Sequence, residues 1–134
     1  MDEDDPVARL TAFVDAMHQW EVTAHEAVWS GQEGVDARLQ AALDAVFTEH
    51  CTPKRRQHGR QAGRTAARLP DYDVTTQPVL SVERRGRRAQ VWTTRTDGLH
   101  TRYRYTLVLT GVGWRVDRRE MYDGFEERWV PTYL

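Results

Sequence analysis

A chain of 134 residues, 40% apolar and 29% charged, is long enough for one domain with its own core and too short for two. It holds no apolar run near the ~18 residues that a membrane span needs, and its acidic start, MDEDDP, is unlike the basic start of a signal peptide. One cysteine, Cys51, excludes an internal disulfide, so the expectation is a single cytoplasmic domain over 1–134.

The net charge of −1 hides a segregation. Residues 1–50 carry a net −9, residues 51–70 a net +6 and residues 71–134 a net +2, and Lys54 is the only lysine. Blocked charge of this kind bears on partner choice and association rate more than on fold.

Asp5 and Pro6 read as a helix start, an acceptor for free N–H groups followed by a residue that has no N–H to lose. Leu10, Phe13, Val14, Met17, Trp20 and Ala24 recur at helical spacing, and Ala27 or Val28 extends the stripe. Asp15, Gln19, His25 and Glu26 fall on the wet side. The predicted helix runs from about residue 6 to 29, up to a break at Gly31 to Gly34. A second helix is predicted from about 36 to 50, with Val35, Leu39, Leu43, Val46 and Phe47 as its stripe.

Residues 51–70 show no periodicity and are punctuated by Pro53, Gly59, Gly63 and Pro70, with room for one or two helical turns over 61–69. A bare loop of that length in a small domain is expected to be functional or pinned. Pinning would pair Arg55, Arg56 or Arg60 with a carboxylate of the acidic helices, Asp71 or Asp73.

Four strands follow, over about residues 79–83, 89–94, 102–110 and 113–119. In the second, Val91 and Thr93 share one face and Trp92 takes the other. In the third, Tyr103, Tyr105, Leu107 and Leu109 face one way and Arg102, Arg104, Thr106 and Val108 the other. Strict alternation in the fourth puts Trp114 and Val116 inside and Arg115, Asp117 and Arg119 outside. Turns are expected around Gly86, at Asp97 and Gly98, and over residues 110–113. Phe125 and Trp129 of the tail are expected to pack back onto the domain. Helices first and antiparallel strands after give an α+β architecture, and the apolar sheet face must be covered by the helices.

No catalytic signature stands out. His18, His25, His50, His58 and His100 have no metal-ligand spacing, His18 reads as a core-edge histidine and Cys51 as a small buried hydrophobe. No glycine pattern suits a phosphate loop. Asp15, Asp73, Tyr103 and Tyr105 could be gathered into an acid–base site, but any aromatic-rich sheet offers such a set. The basic run of 54–68 lacks the interleaved aromatics that stack bases, so salt bridges to the acidic helices are favoured over nucleic acid. A third reading makes the loop and the arginine-rich sheet face a protein-binding surface.

Five segments carry a resemblance. They are Phe13, Met17, His18, Gln19, Trp20 and Glu21; Val46 and Phe47 followed by Cys51, Thr52, Pro53, Lys54, Arg55, Gly59 and Arg60; Pro70, Asp71, Tyr72 and Asp73; Tyr103, Tyr105 and Leu107; and the run from Gly113 to Asp117. In order and spacing the chain resembles the NTF2-fold immunity proteins of bacterial polymorphic toxin–immunity systems. The resemblance implies an NTF2-like cone, N-terminal helices on a curved antiparallel sheet of about four strands. It also implies a non-catalytic protein with no cofactor, metal, nucleic acid or membrane to bind, which neutralises a cognate toxin. A homodimer through the sheet stays open. So does an NTF2-like small-molecule-binding or isomerase-like protein with a pocket between helices and sheet. The residues guessed to meet a toxin are Arg55, Arg56, Arg60, Arg102, Arg104 and Arg115.

Overall fold

The computed structural model describes residues 5–30, 35–54, 56, 72–73, 75–96 and 100–134. Helix α1 spans Pro6–Ser30 and α2 spans Val35–His50; the strands are β1 (Val79–Arg85), β2 (Arg88–Thr94), β3 (Arg102–Thr110), β4 (Gly113–Asp123) and β5 (Arg128–Thr132). The strands form one antiparallel sheet in sequence order, β1-β2-β3-β4-β5. The architecture is therefore α+β, as expected, with one strand more than the four read from the sequence.

Local chemistry starts α1 where the sequence places it, while β1 and β4 run on to Arg85 and Asp123, past the ends expected at 83 and 119. Asp5 Oδ1 accepts the Val7 N–H at 2.9 Å, capping α1 with Pro6 in its first turn. Its stripe of Leu10, Phe13, Val14, Met17, Trp20 and Ala24 is buried, and α2 adds Leu39, Leu43 and Phe47. The Trp20 indole N–H donates to the Leu39 carbonyl at 2.9 Å and ties the helices together. The break at Gly31 to Gly34, the side chains of Val28 and Val35, and the turn at Asp97 and Gly98 lie outside the described residues.

Both helices lie on one face of the sheet. That face supplies Ala89, Val91, Tyr103, Tyr105, Leu107, Trp114 and Val116 to a core closed by Phe13, Met17, Leu43, Phe47 and Tyr72. Phe13 sits edge-on to both Phe47 and Tyr72, with centroids 5.8 and 5.6 Å apart. Tyr72 is held from α1 as well: Glu21 accepts its N–H at 2.8 Å, and His18 Nδ1 donates to its carbonyl at 2.8 Å. His18 is the core-edge histidine expected.

The β3–β4 pairing departs from strict alternation. Thr106 pairs with Arg118 and Leu107 with Val116, which leaves Asp117 unopposed as a β-bulge. One extra residue inverts the phase of the strand beyond it. Arg119 is consequently not on the outer face as expected. It is 6% exposed on the helix side, with its guanidinium over the rings of Tyr103, Tyr72 and Tyr105 at 4.5, 5.0 and 5.9 Å. Arg118 and Glu120 take the outer face in its place.

The tail also differs. Instead of only folding back, residues 128–132 form an edge strand, with Pro131 beside Glu120, a position where a missing N–H is tolerated. Phe125 is fully exposed in the β4–β5 turn, where Asp123 Oδ1 accepts the Phe125 N–H at 2.9 Å; Trp129 does pack, edge-on to Tyr122 at 5.4 Å.

Candidate functional site

The face of the sheet turned away from the helices has no element over it among the described residues, and its side chains fall into rows set by the register. One row runs Ser81, Trp92, Arg104, Glu120, Pro131; the next runs Glu83, Gln90, Thr106, Arg118. At the near end of β3, Arg102 lies over the Tyr122 ring at 4.3 Å, and Arg104 lies over Trp129 at 4.8 Å. Arg104 also makes two charge-assisted bonds to Glu120, both 2.9 Å, with both side chains largely covered. Stacking on a ring and a two-point carboxylate contact hold the guanidinium planes in place, so this surface is preorganised.

Two depressions mark the face. One of about 440 Å³ is bordered by Leu80, Ser81, Glu83, Trp92, Arg102 and Trp129. The other, about 400 Å³, is bordered by Glu83, Arg85, Arg88, Gln90, Thr106 and Arg118. Arginine, tryptophan and tyrosine are the side chains that anchor protein interfaces, because their flat groups bury much area and keep a polar end.

A separate cluster gathers where the chain leaves α2. The Thr52 N–H donates to the Val116 carbonyl at 2.9 Å, and Cys51 bridges β4 at Val116. The bulged Asp117 accepts from the Thr52 hydroxyl at 2.7 Å and from Lys54 at 3.1 Å. Burial works against its charge, but those bonds and the positive charges of Lys54 and Arg56 outweigh it and hold its carboxyl below the usual value. Arg56 donates to the carbonyls of Thr52 (3.1 Å), Lys54 (3.3 Å) and Asp117 (3.3 Å), and its guanidinium lies 5.4 Å from the Phe47 ring centroid. Among the described residues, the root of the basic loop is pinned to the sheet, Lys54 by the Asp117 carboxylate and Arg56 by the Asp117 carbonyl; the pairing expected of Arg55 or Arg60 lies outside the described residues.

The six arginines singled out from the sequence do not form one site. Arg102 and Arg104 are neighbours on the open face. Arg115 instead lines a cleft of about 390 Å³ with Phe47, Cys51, Lys54 and Arg56, where burial and the nearby Arg9 lower its pKa. Arg55 and Arg60 lie outside the described residues, and so does Asp71. Reading by strict alternation missed Arg118, Glu120 and Trp129; the only trace in the sequence is a charged strand too long for one hairpin face.

Acid–base chemistry finds little support in this geometry. Asp15 is exposed on α1, Asp73 Oδ1 accepts from the Thr75 N–H and hydroxyl, and Tyr103 and Tyr105 pack in the core. Cys51 is buried and its thiol is pushed up to about 12 by burial, which keeps it from being a nucleophile. His50 is buried with its pKa lowered by burial, and Arg9 donates to its Nδ1 at 2.9 Å. Among the described residues, no group of three or more His, Cys, Asp or Glu is placed to hold a metal ion, and no helix is long and apolar enough to cross a membrane. Between α1 and the mouth of the sheet, Leu10, Val14, Gln77, Pro78 and Thr93 border a gap of about 110 Å³. Pockets for small ligands usually hold roughly 300–1,000 Å³, a range that leaves out this gap but takes in the cleft of about 390 Å³ at Arg115.

Comparison with known proteins agrees with the architecture. The model of a family described as NTF2 fold immunity protein matches residues 6–132. The chain is 29% identical over 128 residues to Immunity protein RhsIA of Dickeya dadantii (strain 3937), covering 93% of each chain. No solved structure matches.

Proposed function

The chain belongs to the NTF2 fold immunity protein family, and we propose that it neutralises a cognate protein toxin of a polymorphic toxin system by binding it, without catalysis, in the bacterial cytoplasm. Immunity by binding needs a stable scaffold and an accessible, chemically distinctive surface. The observation that carries the reading is the open sheet face, where Trp92, Tyr122 and Trp129 are half-buried beside arginines with none of the described elements over them. A rigid arginine–aromatic surface pairs with a complementary protein surface without having to be ordered first. The core supports the scaffold half of this reading, since Phe13, Tyr72, Tyr105 and Trp114 fill the centre of the space between helices and sheet.

The test is co-expression with the toxin domain encoded beside the gene, followed by purification of the complex. Protection of the cells together with a stoichiometric complex is the expected result. Because the charges on the face are unbalanced, the association rate should fall as salt rises while the complex persists. A toxin that kills cells in the presence of this chain, with no complex formed, would remove the proposal.

A further inference from the structure

Arginines on the open face differ in whether anything already holds them. Arg85 bonds Glu83 at 2.8 Å, and Arg104 is committed to Glu120. Arg88 and Arg118 have neither an ion pair nor a hydrogen bond from their side chains among the described residues, and Arg102 has only the Tyr122 ring beneath it. Five arginines against two glutamates leave the face with an excess of positive charge, although the chain as a whole is slightly acidic. Beside Arg118, in the row between it and Gln90, Thr106 is 2% exposed and its hydroxyl has no partner among the described residues. Glu83, the carboxylate in that row, is already bonded to Arg85, so Arg88, Arg118 and the Thr106 hydroxyl are donors left over at this end of the face, which favours an anion.

Which anion follows from the aromatic rings. Stacking a nucleic-acid base needs a free ring face. Tyr122 and Trp129 each carry a guanidinium over one ring face, at 4.3 and 4.8 Å, and meet each other edge-on, so among the described rings of this face Trp92 alone has no guanidinium over it, too few for a run of stacked bases. What the face offers outward is guanidinium forks and an apolar hollow beside Leu80, Trp92 and Trp129. Forks match carboxylates two-point to two-point, and the hollow matches one apolar side chain.

We infer that the open sheet face receives an acidic segment of the partner protein. Its Asp or Glu carboxylates bind Arg88 and Arg118 at one end of the face and Arg102 at the other, and an apolar residue between them fills the hollow at Trp92 and Trp129. The inference rests on the immunity reading, because the partner it describes is the toxin. It separates Arg88, Arg102 and Arg118, whose charge is available, from Arg104, whose charge is already neutralised.

Two measurements test it apart from that reading. In the first, the whole chain is titrated with a Glu-Leu-Glu-Leu-Glu peptide and with its Gln counterpart, following the indole N–H resonances of Trp92 and Trp129. Shifts with the Glu peptide alone are expected; equal effects of the two, or none from either, overturn the carboxylate assignment whatever the toxin does. A single-stranded oligonucleotide that binds more tightly than the Glu peptide would overturn it as well. In the second, affinity for the toxin domain is measured for the native chain, for R88Q/R102Q/R118Q and for the α1 control E26Q, with melting temperatures recorded alongside. The triple variant should bind at least tenfold more weakly with a flatter salt dependence, while E26Q stays within threefold. A triple variant that melts normally and binds like the native chain sinks the inference but leaves the immunity reading standing. A native chain that responds to the Glu peptide but neither binds the toxin nor protects cells removes the toxin as partner instead.

Discussion

The two faces of the sheet are built from alternate residues of the same strands, yet they obey different physics. On the helix side, Val91, Tyr105, Leu107, Trp114 and Val116 are fully buried against α1 and α2, and their packing carries the stability of the domain. On the far side, Arg104, Glu120 and Trp129 are held by ring stacking and a two-point ion pair, and Trp92 and Trp129 stay half-buried beside an open hollow. The first face tolerates little change of volume. The second should tolerate substitution without unfolding.

The strongest challenge to this division is Leu107→Ala, which should cost about 2–5 kcal/mol in urea unfolding because Leu107 has no exposure and lies between Tyr105 and Trp114 in the core. A cost under about 1 kcal/mol would mean that the helix side does not hold the fold together.

Next comes Arg119→Ala, which tests the register inversion. On the helix side, among Tyr72, Tyr103 and Tyr105, the substitution should cost about 2–3 kcal/mol. An outward-facing arginine would give a change within about 0.5 kcal/mol.

A smaller effect is expected at the seam between the faces. Asp117→Ala removes the acceptor for Thr52 and Lys54 and should cost about 1–2 kcal/mol, with faster tryptic cleavage after Lys54 and Arg56. Acid acts on the same end of the molecule. The lowered pKa of Asp117 contributes stability that is present above the unfolded carboxylate value and is lost as pH falls through the folded one. His50, also lowered, contributes stability that is complete above its unfolded value of about 6.5 and declines as pH falls below it. Unfolding midpoints between pH 7 and 5 should therefore drop, and less steeply in His50→Gln.

The smallest change in stability should come from the open face. Trp129→Ala loses one edge-on ring contact and the stack with Arg104, worth about 1 kcal/mol or less. In the toxin complex the same substitution should weaken binding by about tenfold or more. A large drop in melting temperature with unchanged binding would exchange the roles assigned to the two faces.

Much of this was legible without coordinates. Helical spacing from Leu10 to Ala24 and from Leu39 to Phe47 marked both helices, because a buried stripe on a helix can only recur every three or four residues. Alternation in residues 102–110 identified the strand and its core side. The acidic N-terminal segment and the lone buried cysteine were equally readable.

What periodicity could not supply was any contact dependent on a neighbour distant in the chain. No local pattern marks Asp117 as a bulge, since its extra position exists only against Thr106 and Leu107 across the hairpin and is held by Thr52 and Lys54 from 63 to 65 residues away. That one residue reverses the strand's phase, sending Arg119 among the tyrosines and bringing Arg118 and Glu120 to the open face. Arg115 likewise reads as one more outward arginine until the end of α2 draws it into a cleft with Lys54 and Arg56. Five residues containing a proline become a strand only because Met121 and its neighbours on β4 offer an edge to pair with. Sequence determined which segments are helix or strand and which side chains are apolar, since those follow from neighbours within a few residues; which arginines reach the open face was decided by tertiary pairing.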